Sequence, residues 1–274
     1  MIKGIKMRPS RVLGKLRSGG LASCVKLNSC DSRIFEIAAM AGFDCLWTDM
    51  EHAANDWSVI EKQILAAKAY GSDILVRVAR GGYSDYIRPL ELDASGIMVP
   101  HVMSLEDAKR VVNMTRFYPL GRRPLDGGNA DGAYCNIDIL DYVRDANNER
   151  FVIVQIEDPE PMDEIEEIAS LEGIDMLFFG PADFSHGIGA LGQGNNSKLE
   201  DARKRVAEVC IKAGKYAGTV GGPGNLEKLV DMGYRFINMG SDVVGLAQYF
   251  SDIVSVFKDK EKTISKCICG GDAE

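Results

Sequence analysis

Residues 151–185 constrain the fold of this chain more than any other stretch: FVIVQIEDPEPMDEIEEIASLEGIDMLFFGPADFS. Two short apolar runs, 152–156 and 176–179, flank a segment with Met162, Ile165, Ile168 and Ala169 at helical spacing. The unit therefore reads strand, helix, strand, and such a crossover makes its strands parallel and adjacent, roughly 4.8 Å apart. Each run is followed by an acid, Glu157 or Asp183, so both carboxylates fall at the same end of the sheet. Alternation puts Gln155 and Glu157 on the face away from Val154 and Ile156, where a buried amide and carboxylate need a partner. A cation or a bound ligand supplies one. The plainer alternative is that Glu157 and Asp183 start helices. Gly180 in the GPAD turn favours a site, because it lets backbone approach a ligand, and free amides at the following helix start favour an anion.

The same alternation recurs along the chain. Strands are expected at 21–27, 45–49, 74–78, 97–102, 152–156, 176–179, 216–220 and 236–239. Helices are expected at 31–41, 57–70, 83–92, 104–116, 137–147, 162–170, 198–213, 225–232 and 242–257. Asp31 is the expected N-cap of the first of these, and Ser104 with Asp107 has the spacing of a capping box. Eight strand-then-helix units in 274 residues predict a single (β/α)8 TIM barrel over residues 21–257. A basic segment, 1–20, precedes it, and a polar tail, 258–274, is expected to fray. A doubly wound sheet is the alternative, but no GxGxxG follows the first strand. Residues 117–136, Gly-rich and polar, are expected to be a loop folded over another part of the molecule.

Composition removes several function classes. A net charge of −8 without a basic stripe argues against nucleic acid as a partner. No apolar run reaches the roughly 20 residues of a membrane helix. Seven cysteines with no CxxC pair suit a reducing cytoplasm, and Cys267-Ile-Cys269 offers only a weak zinc motif.

In a barrel, chemistry gathers at the carboxyl ends of the strands. Those ends bring Lys26 and Asn28, Asp49, Glu51 and His52, Arg77, His101, Gln155 and Glu157, and Asp183 and Ser185 to one rim. Arg77 could instead bridge to Asp73 or Glu91, and His101 has packing or capping as its simpler role. Oxygen ligation by Glu157 and Asp183 suits a hard divalent cation, Mg²⁺ or Mn²⁺, with Co²⁺ tolerable. Such a cation chelates a 2-oxo acid and acts as a Lewis acid on its ketone, stabilising an enolate when the adjacent C–C bond breaks.

These residues resemble the HpcH/HpaI aldolases, metal-dependent class II pyruvate aldolases. The resemblance is carried by GFDCLWTDMEHAANDW (42–57), ILVRV (74–78), GIMVPHV (96–102), VIVQIED (152–158), GIDMLFFGPADFS (173–185) and INMGSD (237–242). It implies that Glu157 and Asp183 ligate the metal and that Gln155 supports metal and substrate. It further implies that Arg77 binds the ketone oxygen, that His52 is the acid/base of the aldol step with Glu91 as its carboxylate partner, and that backbone at Pro181, Ala182 and Asp183 holds the substrate carboxylate. The expected reaction is reversible cleavage of a 4-hydroxy-2-oxo acid to pyruvate and an aldehyde. Arg80-Gly81-Gly82 lacks the family's aromatic-Asn character and Gly121-Arg122-Arg123-Pro124 only partly matches its G-x-R-G turn, both where the aldehyde half is expected to bind. Rival readings at the same site are an oxaloacetate-type decarboxylase, a related carboxylic-acid lyase, a Schiff-base aldolase through Lys26, and a barrel that binds a 2-oxo acid without turnover. Assembly as a homo-oligomer, hexamer or trimer, through the last helix is also implied.

Overall fold

Eight parallel strands close on themselves in the order β1 to β8. The computed structural model describes residues 2 and 4–269, with side chains described through residue 264. In chain order the elements are α1 (Arg11–Arg17), β1 (Ala22–Lys26), α2 (Ser32–Met40), β2 (Cys45–Asp49), α3 (Trp57–Ala69), β3 (Asp73–Arg77), α4 (Tyr83–Glu91), β4 (Gly96–Val99) and α5 (Leu105–Thr115). There follow α6 (Ile139–Glu149), β5 (Phe151–Ile156), a 3-10 turn (Glu160–Glu164), α7 (Ile165–Ser170), β6 (Met176–Phe179) and α8 (Pro181–Gly187). The chain continues through α9 (Ser197–Lys212), β7 (Tyr216–Gly221), α10 (Leu226–Met232), β8 (Tyr234–Ser241) and α11 (Asp242–Cys269). The (β/α)8 barrel read from the alternation is the observed fold.

Side-chain parity divides each strand between two cores. Outward residues such as Val25, Leu46, Ile74 and Val154 pack under the helices. Inward ones fill the barrel, where Trp47, Phe178 and Phe236 meet edge to face, with ring centroids 5.5 and 6.3 Å apart. Gly218 makes room for this layer, since a Cβ there would come within 2.7 Å of the Phe178 ring. An apolar floor thus lies beneath the carboxyl-end rim, and polar residues one layer higher form the mouth.

Asp31 and Ser104 cap α2 and α5 as expected, accepting the amides of Arg33 and Asp107. Other boundaries moved. The 162–170 segment begins as a 3-10 turn, and the helix start expected at the GPAD turn is α8, which begins at Pro181, whose ring presets the first helical φ. The basic start is not a loose segment: α1 buries Val12, Leu13 and Leu16 in the amino end of the barrel. Its charges meet acids at the strand starts, Arg11 and Lys15 on Asp44 and Arg8 on Asp73. Helix α11 runs on through residues expected to fray, as far as Cys269; the side chains of Cys267 and Cys269 lie outside those described. Among the described residues no helix is long and apolar enough to cross a membrane.

Residues 117–136 do fold over something, the amino end of the barrel. Phe117 packs with Met7, Ile137 and Tyr142, while buried Arg123 pairs with Asp131 at 2.7 Å. Gly121–Pro124 therefore lies at the rim opposite the mouth of its own barrel, a correction to the sequence reading.

Candidate active site

Arg77 ends β3 pointing into the mouth, 4% exposed, because Leu75 two residues earlier faces the barrel interior. Its guanidinium grips Asp49, the last residue of β2, through Nε at 3.0 Å and through Nη2, and its Nε lies 3.1 Å from Glu51. The bridges to Asp73 or Glu91 do not form: Asp73 serves Arg8 and Ser10 at the amino end. Burial opposes charge on Asp49, but Arg77 and Lys26 overcome it and hold its carboxyl well below the usual range. Burial likewise works against the Arg77 cation, and Asp49, Glu51 and Glu157 more than compensate, raising its pKa.

The loop after β2 is pinned from below. Glu51 N–H donates to Asp49 at 3.0 Å, and the Asn55 amide donates to the Asp49 carbonyl at 2.8 Å. These bonds present Glu51 and His52 at the mouth. His52 is 60% exposed, with Nε2 3.5 Å from Glu51. Glu91 does not partner it within this chain. Helix α4 runs back from the carboxyl rim, so its last residue lies at the other end, where the Asp131 N–H donates to the Glu91 carbonyl. Burial raises the Glu91 pKa, opposed by Arg123 and reinforced by Asp131 and Asp126.

Glu157 follows β5 directly and is 1% exposed. It accepts hydrogen bonds from the Gln155 amide and, at 3.0 Å, from the His101 backbone N–H. Its ionic partner is the His101 ring, 3.8 Å away. Burial dominates, so its pKa rises to about 7 although the His101 amide, the His101 ring and Arg77 all oppose the rise. Gln155 Oε1 is buried without a hydrogen-bond partner. Asp183 stands at the third position of α8, exposed, and Gly180, not Asp183, is that helix's N-cap. Pro181 has no N–H, so only the amides of Ala182 and Asp183 are free to hold a carboxylate, a correction to the expected trio.

His101 was undervalued in the sequence. Its Nδ1 lies 2.8 Å from Asp158 and its Nε2 3.7 Å from Glu51, and its backbone adopts φ 49. Burial works against its charge, but Asp158, Glu157 and Glu51 raise its pKa. It is the histidine in contact with buried Glu157. The strand alternation that located Arg77 and Glu157 carries no information beyond Pro100, where the strand has ended.

No group of three or more His, Cys, Asp or Glu among the described residues forms a ready metal cage. Glu157 could nevertheless hold a divalent cation with open positions, with Asp183 the exposed carboxylate at the start of α8 that would join it. A buried carboxylate whose charge burial disfavours, an amide oxygen beside it without a donor, and a glycine cradle are the features such an ion would satisfy. The cradle is testable: a Cβ on Gly180 would sit 2.8 Å from Glu157 Cβ and 3.0 Å from Gln155 Nε2. Gly180→Ala is expected to displace Glu157, weaken Mn²⁺ binding at least tenfold by calorimetry, and cost about 1–3 kcal/mol of stability.

Comparison with known proteins decides the family. The family model for HpcH/HpaI aldolase/citrate lyase matches residues 24–248. The chain belongs to that family. It is 33% identical over 214 residues to the hydroxypyruvate/pyruvate aldolase of Delftia acidovorans, covering 78% of this chain and 79% of that protein. It is 31% identical over 249 residues to the 2-keto-3-deoxy-L-rhamnonate aldolase of Salmonella gallinarum, covering 89% and 91%. The crystal structure of an HpcH/HpaI aldolase from Desulfitobacterium hafniense superposes with a TM-score of 0.84 at 28% identity, over 90% of this chain and 96% of that one.

Proposed function

We propose that this member of the HpcH/HpaI family is a divalent-metal-dependent aldolase that reversibly cleaves a 4-hydroxy-2-oxo acid to pyruvate and an aldehyde. The observation that carries the reading is buried Glu157, a carboxylate with an amide, a backbone N–H and the His101 ring as neighbours, at the same rim as the fixed cation Arg77. Glu157 and Asp183 would hold one ion, Mg²⁺ or Mn²⁺ with Co²⁺ tolerable, which supplies Lewis acidity at the ketone of the 2-oxo acid when bound. The amides of Ala182 and Asp183 take the substrate carboxylate, and Gln155 orients the same half. Arg77, held by Asp49 and Glu51, directs its guanidinium to the oxygen that gains charge.

His52 removes the proton of the C4 hydroxyl; the C3–C4 bond then breaks, C4 leaves as the aldehyde, and the electron pair passes into the enolate, whose C3 takes a proton to give pyruvate. Glu51, 3.5 Å from its ring, is the carboxylate that steadies His52. Decarboxylation of oxaloacetate needs no base at a C4 hydroxyl. His52→Ala is therefore expected to lower aldol cleavage by about 10²–10⁴ while changing oxaloacetate decarboxylation less than threefold. Equal losses in both would point to a role for His52 elsewhere than the hydroxyl.

The assembly is proposed as a homo-oligomer of trimer or hexamer type, built on α11. This helix carries Val243, Leu246, Phe250, Ile253, Val254 and Phe257, all exposed in the single chain. Its main contacts with the barrel are to β8, and its first residue, Asp242, accepts the amides of Asn28 and Ser29, so the apolar face beyond lacks the cover that an outer helix of a barrel receives. A second copy is the occupant whose chemistry matches, because the other outer helices already bury their own apolar stripes. Phe250→Asp with Val254→Asp is expected to give monomers by light scattering; an unchanged mass would remove α11 from the interface.

A further inference from the structure

The mouth holds polar groups whose hydrogen-bonding capacity the proposed chemistry does not fill, and they lie on the side away from Glu157. Lys26 ends β1 pointing inward, as Cys24 two residues earlier does. Its side chain is only 20% exposed, its Nζ is 2.8 Å from Asp49 Oδ2, and it lies 5.2 Å from the centre of the Trp47 ring. An ammonium carries three donors, and one carboxylate contact uses one of them. Among the described residues no other acidic side chain pairs with it. On the neighbouring strand β8, Asn238 is 6% exposed, points inward above Phe236, and keeps a buried Oδ1 without a donor. In a ring of eight strands, β1 stands opposite β5, the strand that positions Gln155 and Glu157.

This arrangement fits a ligand that crosses the mouth. Resting on the aldolase reading, the 2-oxo acid half lies against β5 and β6, which leaves the acceptor half to extend toward β1 and β8. We infer that Lys26 is a specificity-determining residue that binds a terminal anion, carboxylate or phosphate, on the acceptor half of the substrate, with Asn238 accepting a hydroxyl from the same half. A largely buried ammonium with unused donors is stabilised by an oxygen anion far more than by a neutral group. Asn238 Oδ1 needs a donor, which the hydroxyls of an acceptor aldehyde supply.

The test compares wild type, Lys26→Met and Lys26→Arg, with Mg²⁺ present, on three 4-hydroxy-2-oxo acids of equal length ending in a carboxylate, a phosphate or a neutral group. Wild type should prefer an anionic end, and whichever anion it prefers names the source. Lys26→Met should lose about 10- to 100-fold in kcat/KM on that substrate, chiefly through KM, and less than threefold on the neutral one. Lys26→Arg should recover most of the loss. Equal losses on all three substrates, or none, would overturn the inference, since the first marks support of Asp49 and the second no contact. Wild type that cleaves only the neutral substrate would overturn it while leaving the aldolase reading intact. If wild type cleaves none, the aldolase reading fails, and calorimetric titration with succinate and with inorganic phosphate decides the anion site separately: binding lost in Lys26→Met upholds it, and no Lys26-dependent binding rejects it.

Discussion

Replacing Glu157 with alanine is expected to lower kcat by about 10³ or more and to abolish the response to divalent metal. The same residue gives a result that needs no turnover. In the metal-free protein burial lifts its pKa from 4.5 to about 7, so the folded state holds this proton more tightly than the unfolded chain does. Between those two values the unfolded chain loses the proton first, and stability falls as pH rises. The displacement corresponds to about 3 kcal/mol, fully lost above pH 7. Metal-free wild type should therefore melt at lower temperature at pH 8 than at pH 5.5, Glu157→Gln should remove that part of the slope, and Mn²⁺ should stabilise wild type more at pH 8 than at pH 5.5. Identical pH slopes for wild type and Glu157→Gln would show that the charge is already accommodated without an ion.

Arg77→Ala is expected to lower kcat by about 10²–10³, the effect of removing one donor to a developing oxyanion. A change under about threefold would contradict its role. The substitution also leaves Asp49, fully buried, with Lys26 as its remaining cation, and breaking a buried pair costs roughly 3–5 kcal/mol. Loss of activity in alanine alone could therefore reflect unfolding. Arg77→Lys keeps a charge beside Asp49 but not the fork that reaches two carboxylates, and it should melt near wild type while still losing at least tenfold in kcat.

The fold was legible because a parallel barrel repeats one local rule: each strand is an apolar run and each helix returns the chain to the same end. The same parity placed Gln155 and Glu157, and position at a strand's carboxyl end placed Arg77, since an inward residue at a strand end has one destination. What parity could not reach lay more than one residue past a strand's end. His101 sits past the end of β4, where the backbone turns through a positive φ, and its contacts with Asp158 and Glu51 depend on that turn. Glu91, which the resemblance implies as the partner of His52, stands apart from it within this chain, because α4 has run back from the carboxyl rim before reaching its last residue. Pairing also escaped the sequence. Asp73 and Asp49 are both strand residues, yet Asp73 begins β3 and takes Arg8, whereas Asp49 ends β2 and takes Arg77.

The most direct test is to strip the protein of metal and supply a panel of 4-hydroxy-2-oxo acids and oxaloacetate, with and without Mg²⁺ or Mn²⁺, measuring pyruvate and aldehyde separately. Both products should appear together and only with the cation. Pyruvate from oxaloacetate alone, or aldol cleavage that persists without metal, would contradict the metal-dependent aldolase reading.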